Sequence, residues 1–319
     1  MRPGIATFHH AEFASLATLL AAKRAQNLTI SLCIPTLNEE ETIGEVVRRL
    51  KSALHDDCPL VDEVAVMDSG SSDRTCAVAA EAGADVYIAA DILPHYGSAR
   101  GKGENVWKAS WQLRGDILCF IDGDVRNMHP RFVYGPLGIL LLKPLFSYAK
   151  GFYDRPPAMA AAGLSPAGGG RVTEALVRPL FSLFFPELAS LAQPLAGECA
   201  VRRSVLETLS MPTGYGLETA QVIDIYLQNG LSGMAQCDLD ERLHRHQDTT
   251  ALGKMGFSIL HAFLKRARQA GLIEMGHELP VVYRHLLRRN GVMELQETAC
   301  DDFERPPLIE VPEYRAKFS

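Results

Sequence analysis

The chain has 319 residues, of which 47% are hydrophobic and 22% are charged, so it is long enough to bury a large core. Its formal net charge of −6 argues against a broad nucleic-acid-binding surface, although it leaves room for a local cationic pocket that holds a small anion. We therefore expect a globular α/β protein with one large domain and an appendage, and no nucleic-acid partner.

The sequence predicts neither a membrane span nor a disulfide framework. The longest apolar stretches, near residues 137–142 and 180–185, are far shorter than the roughly 20 residues that cross a bilayer. His9, His10 and Glu12 lie where a secretory signal needs an apolar core, so we expect a cytoplasmic location. The seven cysteines are scattered and include no Cys-x-x-Cys pair, which also argues against a thiolate zinc site.

The chain divides into four tracts. Residues 1–27 are predicted to form a helical N-terminal extension, because Phe13, Leu16 and Leu19 have helical spacing. Residues 28–125 alternate predicted strands (29–34, 64–67, 86–89 and 117–121) with predicted helices (40–54, 72–82 and 102–113). This alternation predicts parallel strands with right-handed crossovers in a Rossmann-like open sheet. Residues 126–250 are first rich in proline and glycine, and residues 251–319 are predicted to be helical to about residue 289.

Asp122-Gly123-Asp124 follows the strand predicted at residues 117–121 and is the most informative motif. Because α/β proteins bind ligands outside the carboxyl ends of parallel strands, both carboxylates are placed at a binding edge. Such close carboxylates are costly unless a cation neutralises them, and Mg²⁺ with bound phosphate oxygens is the simplest candidate. The motif points to a nucleotide-sugar site, and an ordinary solvated turn is the alternative interpretation.

Polar loops follow the other predicted strands of this region. Residues 35–41 follow the first strand, and there Asn38 and the glutamates are also explained by helix capping. Residues 68–73 form an acidic, hydroxyl-rich turn that leaves Asp68 and Ser69 at the binding edge. Residues 100–103 combine glycines, which let the backbone approach a phosphate, with Lys102 as a point charge; a solvated turn is the alternative.

In this order and spacing, residues 35–40 (PTLNEE), 68–73 (DSGSSD), 101–104 (GKGE) and 122–124 (DGD) resemble the GT-A glycosyltransferases. More narrowly, the set is similar to the retaining glucosyl-3-phosphoglycerate synthase and mannosyl-3-phosphoglycerate synthase family. Residues 168–174, 193–198, 214–218 and 242–245 also match that family, so the resemblance covers roughly residues 28–260.

The resemblance implies a GT-A fold, in which helices flank a mainly parallel Rossmann-like sheet. Residues 28–125 would bind the nucleotide sugar, and residues 126–250 would complete the domain as its acceptor-binding region. Residues 251–319 would be a helical tract that supplies a homodimer contact. The implied donor-binding residues are Pro35, Thr36, Leu37, Asn38, Glu39, Ser69, Lys102, Asp122, Gly123, Asp124, Leu195, Tyr215, Glu218 and Arg242.

The resemblance also implies a metal site and an acceptor site. Asp124 and His244 would hold Mg²⁺, with Mn²⁺ or Co²⁺ as alternatives. The implied acceptor residues, which would grip 3-phosphoglycerate, are Gly170, Arg171, Thr173 and His246, and the implied catalytic residues are Asp124, Lys102, Glu218 and Arg171. An arginine behind three glycines, at the start of a helix, suits an anion on physical grounds as well. A flexible loop capped by Thr173, a solvated His-x-His strand edge and a capping role for Glu218 are the alternatives.

The implied reaction is metal-dependent transfer of glucose from UDP-glucose to the 2-hydroxyl of 3-phospho-D-glycerate. The metal and Lys102 would neutralise the leaving diphosphate. Because Asp122 and Asp124 are assigned to nucleotide and metal, no carboxylate is left as a nucleophile, and we favour front-face substitution.

Three alternatives stay open. His246, where some relatives have asparagine, leaves a mannosyl-3-phosphoglycerate synthase that uses GDP-mannose. A polyprenyl-phosphate glycosyltransferase would share the first motifs but gives no reason for the loop at residues 168–174. A catalytically silent nucleotide-sugar-binding protein would have lost Arg171, Thr173 and His244, which this chain keeps.

Overall fold

The computed structural model describes residues 4–154, 170–243, 249–289, 291–300 and 302–318. The strands are β1 (Ala6–His9), β2 (Ile30–Thr36), β3 (Glu63–Asp68), β4 (Asp85–Ile88), β5 (Ile117–Phe120), β6 (Tyr148–Asp154), β7 (Cys199–Arg202), β8 (Met211–Pro212), β9 (Met234–Glu241), β10 (Val282–Arg289), β11 (Val292–Ala299) and β12 (Glu304–Arg305).

The α-helices are α1 (Leu16–Ala25), α2 (Ile43–Lys51), α3 (Thr75–Glu81), α4 (Lys102–Gln112), α5 (Arg131–Leu142), α6 (Arg178–Phe184), α7 (Arg203–Leu206), α8 (Leu217–Asn229), α9 (Thr249–Gln269) and α10 (Pro312–Phe318). A π-helical turn at Ser52–Asp56 extends α2, and another at Thr173–Val177 leads into α6. Within the described residues, no helix is both long and apolar enough to cross a bilayer.

Eight of the described strands form one twisted layer in the order β1-β9-β6-β7-β5-β2-β3-β4. Its pairs are parallel except where β7 lies antiparallel between β6 and β5. The predicted α/β fold with a mainly parallel sheet is therefore confirmed. Helices α2, α3 and α4 are the crossovers between β2, β3, β4 and β5, as the alternation of apolar runs indicated.

The central strand β2 is buried along its whole length because both faces of the sheet are covered. Successive side chains point to opposite faces, so Leu32 and Ile34 join one apolar cluster while Cys33 joins the other. Such burial contributes about 1.5–3 kcal/mol for each large apolar side chain. The rigid double-sided core fixes the carboxyl ends of β2, β3 and β5, where the polar loops begin.

Two predictions about the ends of the chain were wrong in part. The N-terminal extension contains a helix, α1, but it starts with β1, which pairs with β9 and extends the sheet. The helix predicted to run to residue 289 ends at Gln269, because Gly271 takes a left-handed backbone (φ +71°) that stops it. Beyond it, β10 and β11 form a hairpin in which Leu286 lies opposite Leu295.

The C-terminal tract is fastened to the sheet domain by buried polar contacts. Strand β12 pairs with β8, and the Arg305 guanidinium there donates to both carboxylate oxygens of buried Glu104 in α4, at 2.7 and 2.8 Å. The Trp107 Nε1–H donates to the Pro306 carbonyl at 2.8 Å. Glu104 and Arg305 are 0% and 3% exposed. The ammonium of buried Lys108 also lies 3.7 Å from Glu104, so loss of Arg305 would leave this carboxylate with only that longer contact to a cation among the described residues.

Candidate active site

A cavity of about 760 Å³ opens at the carboxyl ends of β2 and β3. Its wall includes seven residues that the sequence had assigned to the donor, namely Pro35, Thr36, Leu37, Glu39, Ser69, Lys102 and Tyr215. Its wall also includes residues that sequence reasoning missed, namely Asn105, Thr213, Lys254, Asp302 and Phe303. Most of these come from the C-terminal tract and the residue after β8, far along the chain from the first motifs.

The turn after β3 is held by Asp68, which is fully buried. Its carboxylate accepts hydrogen bonds from the backbone amides of Gly70 and Ser71, at 2.8 and 2.7 Å, and from the Thr36 hydroxyl at 3.0 Å. Asp68 therefore fixes the loop, and its neighbour Ser69 faces the cavity. Asp68 is thus a turn residue, an assignment that the sequence left open.

Asn105 on α4 joins the ends of the two central strands. Its side-chain amide donates to the Met67 carbonyl at 2.9 Å, and its carbonyl oxygen accepts from the Ser69 hydroxyl at 2.8 Å. A buried asparagine in a helix gives no sequence signal for such a role, because its partners, the Met67 carbonyl and the Ser69 hydroxyl, belong to other elements.

Asn38 has a left-handed backbone (φ +58°), and its side-chain oxygen accepts from the Ser72 amide at 2.9 Å. It does not cap α2, which starts later than predicted, at Ile43 with Thr42 before it. The side chain of Asn38 instead ties the loop after β2 to the loop after β3, and Asn38 is absent from the described cavity wall.

Lys102, the first residue of α4, lies between two carboxylates. Its Nζ is 2.5 Å from Asp122 Oδ1 and 2.9 Å from Glu218 Oε1. Burial disfavours the ammonium, but the charges of Asp122 and Glu218 outweigh it and hold the pKa of Lys102 well above its usual value. Gly101 and Gly103, which the sequence suggested for phosphate approach, instead let α4 pack against the backbone of residues 212–214.

Arg242, at the end of β9, holds the two aspartates of the D-G-D motif. Its Nη2 is 3.1 Å from Asp122 Oδ2 and 2.7 Å from Asp124 Oδ1, and its Nη1 donates to the Tyr153 hydroxyl at 2.5 Å. Burial raises the pKa of Asp122, but Lys102 and Arg242 more than offset this and keep it well below its usual value. Burial raises the pKa of Asp124 despite Arg242, and the charge of Asp122 adds to the rise.

A fourth carboxylate, Glu198, lies behind Arg242 and was not assigned a role from sequence. It precedes β7, is 0% exposed, and has Oε1 at 3.0 Å from Arg242 Nη1. That contact lacks hydrogen-bond alignment, and neither oxygen of Glu198 has a hydrogen-bond partner among the described residues. Burial raises the pKa of Glu198, and the positive charge of Arg242 partly offsets this rise.

Gly197 brings this segment against the cluster. A Cβ at position 197 would overlap the Asp122 carboxylate and the Lys102 ammonium, so a larger residue there would have to displace both groups. Leu195, two residues earlier, is half-buried and packs against an apolar cluster of the core.

Comparison with known proteins agrees with this geometry. The sequence model of glycosyl transferase family 2 matches residues 31–132. The glucosyl-3-phosphoglycerate synthase of Petrotoga mobilis is 46% identical over 313 residues, which are 98% of this chain and 96% of that protein. The chain belongs to the glucosyl-3-phosphoglycerate synthase family.

Solved structures agree with this assignment and confirm the expected GT-A glycosyltransferase. The crystal structure of mannosyl-3-phosphoglycerate synthase from Rubrobacter xylanophilus superposes with a TM-score of 0.89 at 37% identity, and 96% of this chain and 97% of that chain are covered. The glucosyl-3-phosphoglycerate synthase from Mycobacterium tuberculosis, in complex with Mn²⁺, uridine diphosphate and phosphoglyceric acid, superposes with a TM-score of 0.84 at 34% identity, covering 96% and 98%.

The acceptor residues implied by this family lie at the start of the helical stretch that leads into α6. The Gly170 carbonyl accepts from the Glu174 amide at 3.0 Å, Arg171 is exposed and Thr173 is buried. Residues 168 and 169, as well as His244 and His246, lie outside the described residues.

The charged cluster fits the divalent metal implied by this family. Asp122, Asp124, Glu198 and Glu218 form ion pairs with two cations, Lys102 and Arg242, so the carboxylates outnumber their cationic partners in the described part of the site. The amine of Lys150 lies near Glu198 and Glu218, but its burial lowers its pKa. Carboxylate oxygens are the ligands that Mg²⁺ prefers, and a divalent cation would balance the cluster.

A second group of possible ligands, His9, His10 and Asp240, lies between β1 and β9. The Ala11 amide donates to His9 Nδ1 at 3.2 Å, so the ring proton of neutral His9 is on Nε2, which lies 3.0 Å from Asp240 Oδ1. A protonated Nε2 has no lone pair for a metal. This group is therefore a clasp that holds β1 to the sheet.

Proposed function

We propose that this chain transfers glucose from UDP-glucose to the 2-hydroxyl of 3-phospho-D-glycerate, with retention at the anomeric carbon. The observation that carries the proposal is one charged network of Lys102 and the D-G-D carboxylates, in which Lys102 lines a cavity large enough for a nucleotide sugar. The relatives support it, since the Petrotoga mobilis enzyme is named for this product.

In this proposal Asp124 and His244 hold Mg²⁺, with Mn²⁺ or Co²⁺ as alternatives. The metal, when bound, would supply positive charge to the departing diphosphate. Mycobacterium tuberculosis structures with Mn²⁺ or Mg²⁺ together with uridine diphosphate support the choice of metals.

The residues of the cavity divide the work of binding the donor. The loop at residues 35–39 and Ser69 contact uracil and ribose, and Tyr215 and Leu195 border the hexose. Lys102 is placed to contact the diphosphate, because its side chain is partly buried and lines the cavity and its neighbouring carboxylates hold the pKa of its ammonium well above the usual value. Glu218, which pairs with Lys102, would then be released to bind hexose hydroxyls.

The chemical step follows from the charges. The bond between the anomeric carbon and the β-phosphate oxygen breaks, and its electron pair stays on UDP. The acceptor 2-hydroxyl oxygen bonds to the anomeric carbon from the same face and gives its proton to the departing phosphate oxygen. We favour this front-face route because Asp122 and Asp124 are both engaged by Arg242, so neither is placed as a nucleophile.

The acceptor site is proposed at Gly170, Arg171, Thr173 and His246. The exposed guanidinium of Arg171, at the start of a helical stretch, supports binding of a phosphate or carboxylate. Thr173 is buried and would contribute chiefly by fixing the turn.

We also propose a cytoplasmic homodimer. All seven cysteines are free, as is common in a reducing compartment. The β10–β11 hairpin presents Leu286, Val292, Met293 and Leu295 at 50–62% exposure, which makes it a better candidate for self-association than the helices suggested by sequence. Sedimentation of wild type and Leu295→Glu tests this: a dimer that becomes a monomer supports the contact, and an unchanged mass contradicts it.

The experiment that tests the function is an assay of purified protein with Mg²⁺, 3-phosphoglycerate, and UDP-glucose or GDP-mannose in parallel. Lys102→Met and Asp124→Asn should each lose at least about a hundredfold in rate. The surface ion pair of Lys51 with Asp56 offers matched controls, Lys51→Met and Asp56→Asn, which should retain activity. If the wild-type protein forms no product from UDP-glucose or from GDP-mannose, the proposal is refuted.

GDP-mannose as donor is the second candidate. The similarity to the Rubrobacter xylanophilus mannosyl-3-phosphoglycerate synthase favours including it. A kcat/KM for GDP-mannose above that for UDP-glucose would move the chain to the mannosyl branch.

A further inference from the structure

We propose that Glu198 is a positioning residue that keeps the D-G-D carboxylates available for the divalent cation by drawing part of the Arg242 charge away from them. This inference rests on the proposed function, because it concerns the metal that the function requires. It assigns a role to a residue that faces neither the cavity nor the substrate.

Three carboxylates share the guanidinium of Arg242. Arg242 lies 3.0 Å from Glu198, 3.1 Å from Asp122 and 2.7 Å from Asp124, so a single positive charge serves three carboxylates. Glu198 contacts Nη1, whereas both aspartates contact Nη2. Tyr153 fixes the guanidinium between the two sides, since its hydroxyl accepts from Nη1 and its ring lies 5.1 Å from the guanidinium carbon.

Removing the charge of Glu198 would change what an incoming cation meets. A neutral residue in place of ionised Glu198 would remove one negative charge from the described cluster. The whole charge of Arg242 would then act on Asp122 and Asp124. Their side chains are only 26% and 30% exposed, so solvent screens this charge poorly. A divalent cation would therefore bind less tightly.

A purely structural explanation of Glu198 is weaker. A buried ion pair stabilises a protein only when further hydrogen bonds satisfy its oxygens, and both oxygens of Glu198 lack such partners within the described residues. Arg242 would also keep two other carboxylates if Glu198 were neutral, so no buried cation would be stranded. Glu198 therefore contributes little to the stability of the fold, and its main effect is on the charge of the site.

The test is titration of Mn²⁺ into the full chain at saturating UDP, followed by electron paramagnetic resonance of the free ion. Glu198→Gln should weaken Mn²⁺ binding on the order of tenfold, since one charge is removed from a poorly screened site. Glu198→Asp keeps the charge and should stay within about threefold of wild type. Asp224→Asn, which removes a carboxylate from the separate buried pair with Arg266, is the matched control and should bind normally.

Turnover gives a second readout. Glu198→Gln should need more Mn²⁺ for half-maximal rate, while kcat at saturating Mn²⁺ stays within about twofold of wild type. A residue that only supported the fold would lower kcat at every metal concentration. If the glutamine variant does not fold, Glu198→Met, which is similar in volume, replaces it.

The outcomes separate this inference from the proposed function. If wild type binds Mn²⁺ and Glu198→Gln binds it with the same affinity, the proposed role of Glu198 is overturned and the proposed function is unaffected. Equal weakening in Glu198→Gln and Glu198→Asp also overturns it, because shape and not charge would then matter. No Mn²⁺ binding by wild type removes the metal from the proposed function and this inference with it.

Discussion

Gly197→Ala tests whether the spacing of Lys102 and Asp122 controls catalysis. The new Cβ would lie 2.5 Å from Asp122 Cγ, where carbon atoms normally approach to about 3.5 Å. Asp122 must therefore move by about 1 Å, and it cannot do so alone, because Lys102 and Arg242 are both bonded to it. A displacement of about 1 Å at a reacting site can cost roughly a hundredfold in rate, which corresponds to about 2.7 kcal/mol.

The measurement is kcat/KM for UDP-glucose at saturating Mg²⁺ and 3-phosphoglycerate, beside the thermal midpoint of unfolding. We expect kcat/KM to fall about a hundredfold while stability falls by only about 1–3 kcal/mol, the usual cost of overpacking. Gly276→Ala is the control, because nothing lies within 4 Å of its Cβ position. An alanine variant at 197 that keeps more than half of the wild-type rate would refute the argument from spacing.

Three further predictions concern stability and binding. Arg305→Met should lower the free energy of unfolding in urea by about 3–5 kcal/mol, because buried Glu104 then keeps only its 3.7 Å contact with Lys108 and the Tyr96 carbonyl loses its donor. Arg24→Met at the exposed end of α1 should be neutral, and equal unfolding midpoints of the two variants would contradict the prediction. Asn105→Leu should cost about 1–3 kcal/mol and weaken UDP binding in calorimetry, since the Met67 carbonyl and Ser69 lose their partner. The folded-state pKa of Asp122 is depressed, so its ionisation stabilises the protein above about pH 4, and this contribution is lost as the pH falls further. The difference in unfolding free energy between wild type and Asp122→Asn should therefore narrow below about pH 4. A difference that stays constant with pH would show that Asp122 is not paired in solution.

The half of the fold made of local patterns was predictable. Alternating apolar runs gave β2 to β5 and their crossover helices within a few residues, because parallel strands and amphipathic helices have distinct periods. Strand β1 and the β10–β11 hairpin were missed, since each depends on a partner that lies elsewhere in the chain.

The site was predictable where residues follow strand ends. Lys102, Asp122 and Glu218 were grouped by the resemblance, and in the structure the Lys102 ammonium lies 2.5 Å from a carboxylate oxygen of Asp122 and 2.9 Å from one of Glu218. Asn105 gave no usable signal, and Glu198 belongs to a motif that matches the family but received no role, because the roles of both depend on contacts with other elements. Asp302 and Phe303 were hidden for the same reason, as their place in the wall requires the pairing of β12 with β8.

The attachment of the C-terminal tract has a consequence for mutations that truncate the chain. A stop codon near position 299 would leave intact every motif described above, all of which lie between residues 35 and 245. A motif search would therefore still report a complete enzyme. Such a chain would lack Phe303, whose carbonyl accepts from the Thr213 amide at 2.9 Å, and the guanidinium that neutralises Glu104 two residues from Lys102. Loss-of-function alleles should therefore occur in the codons for residues 300–318, a region without a recognisable motif.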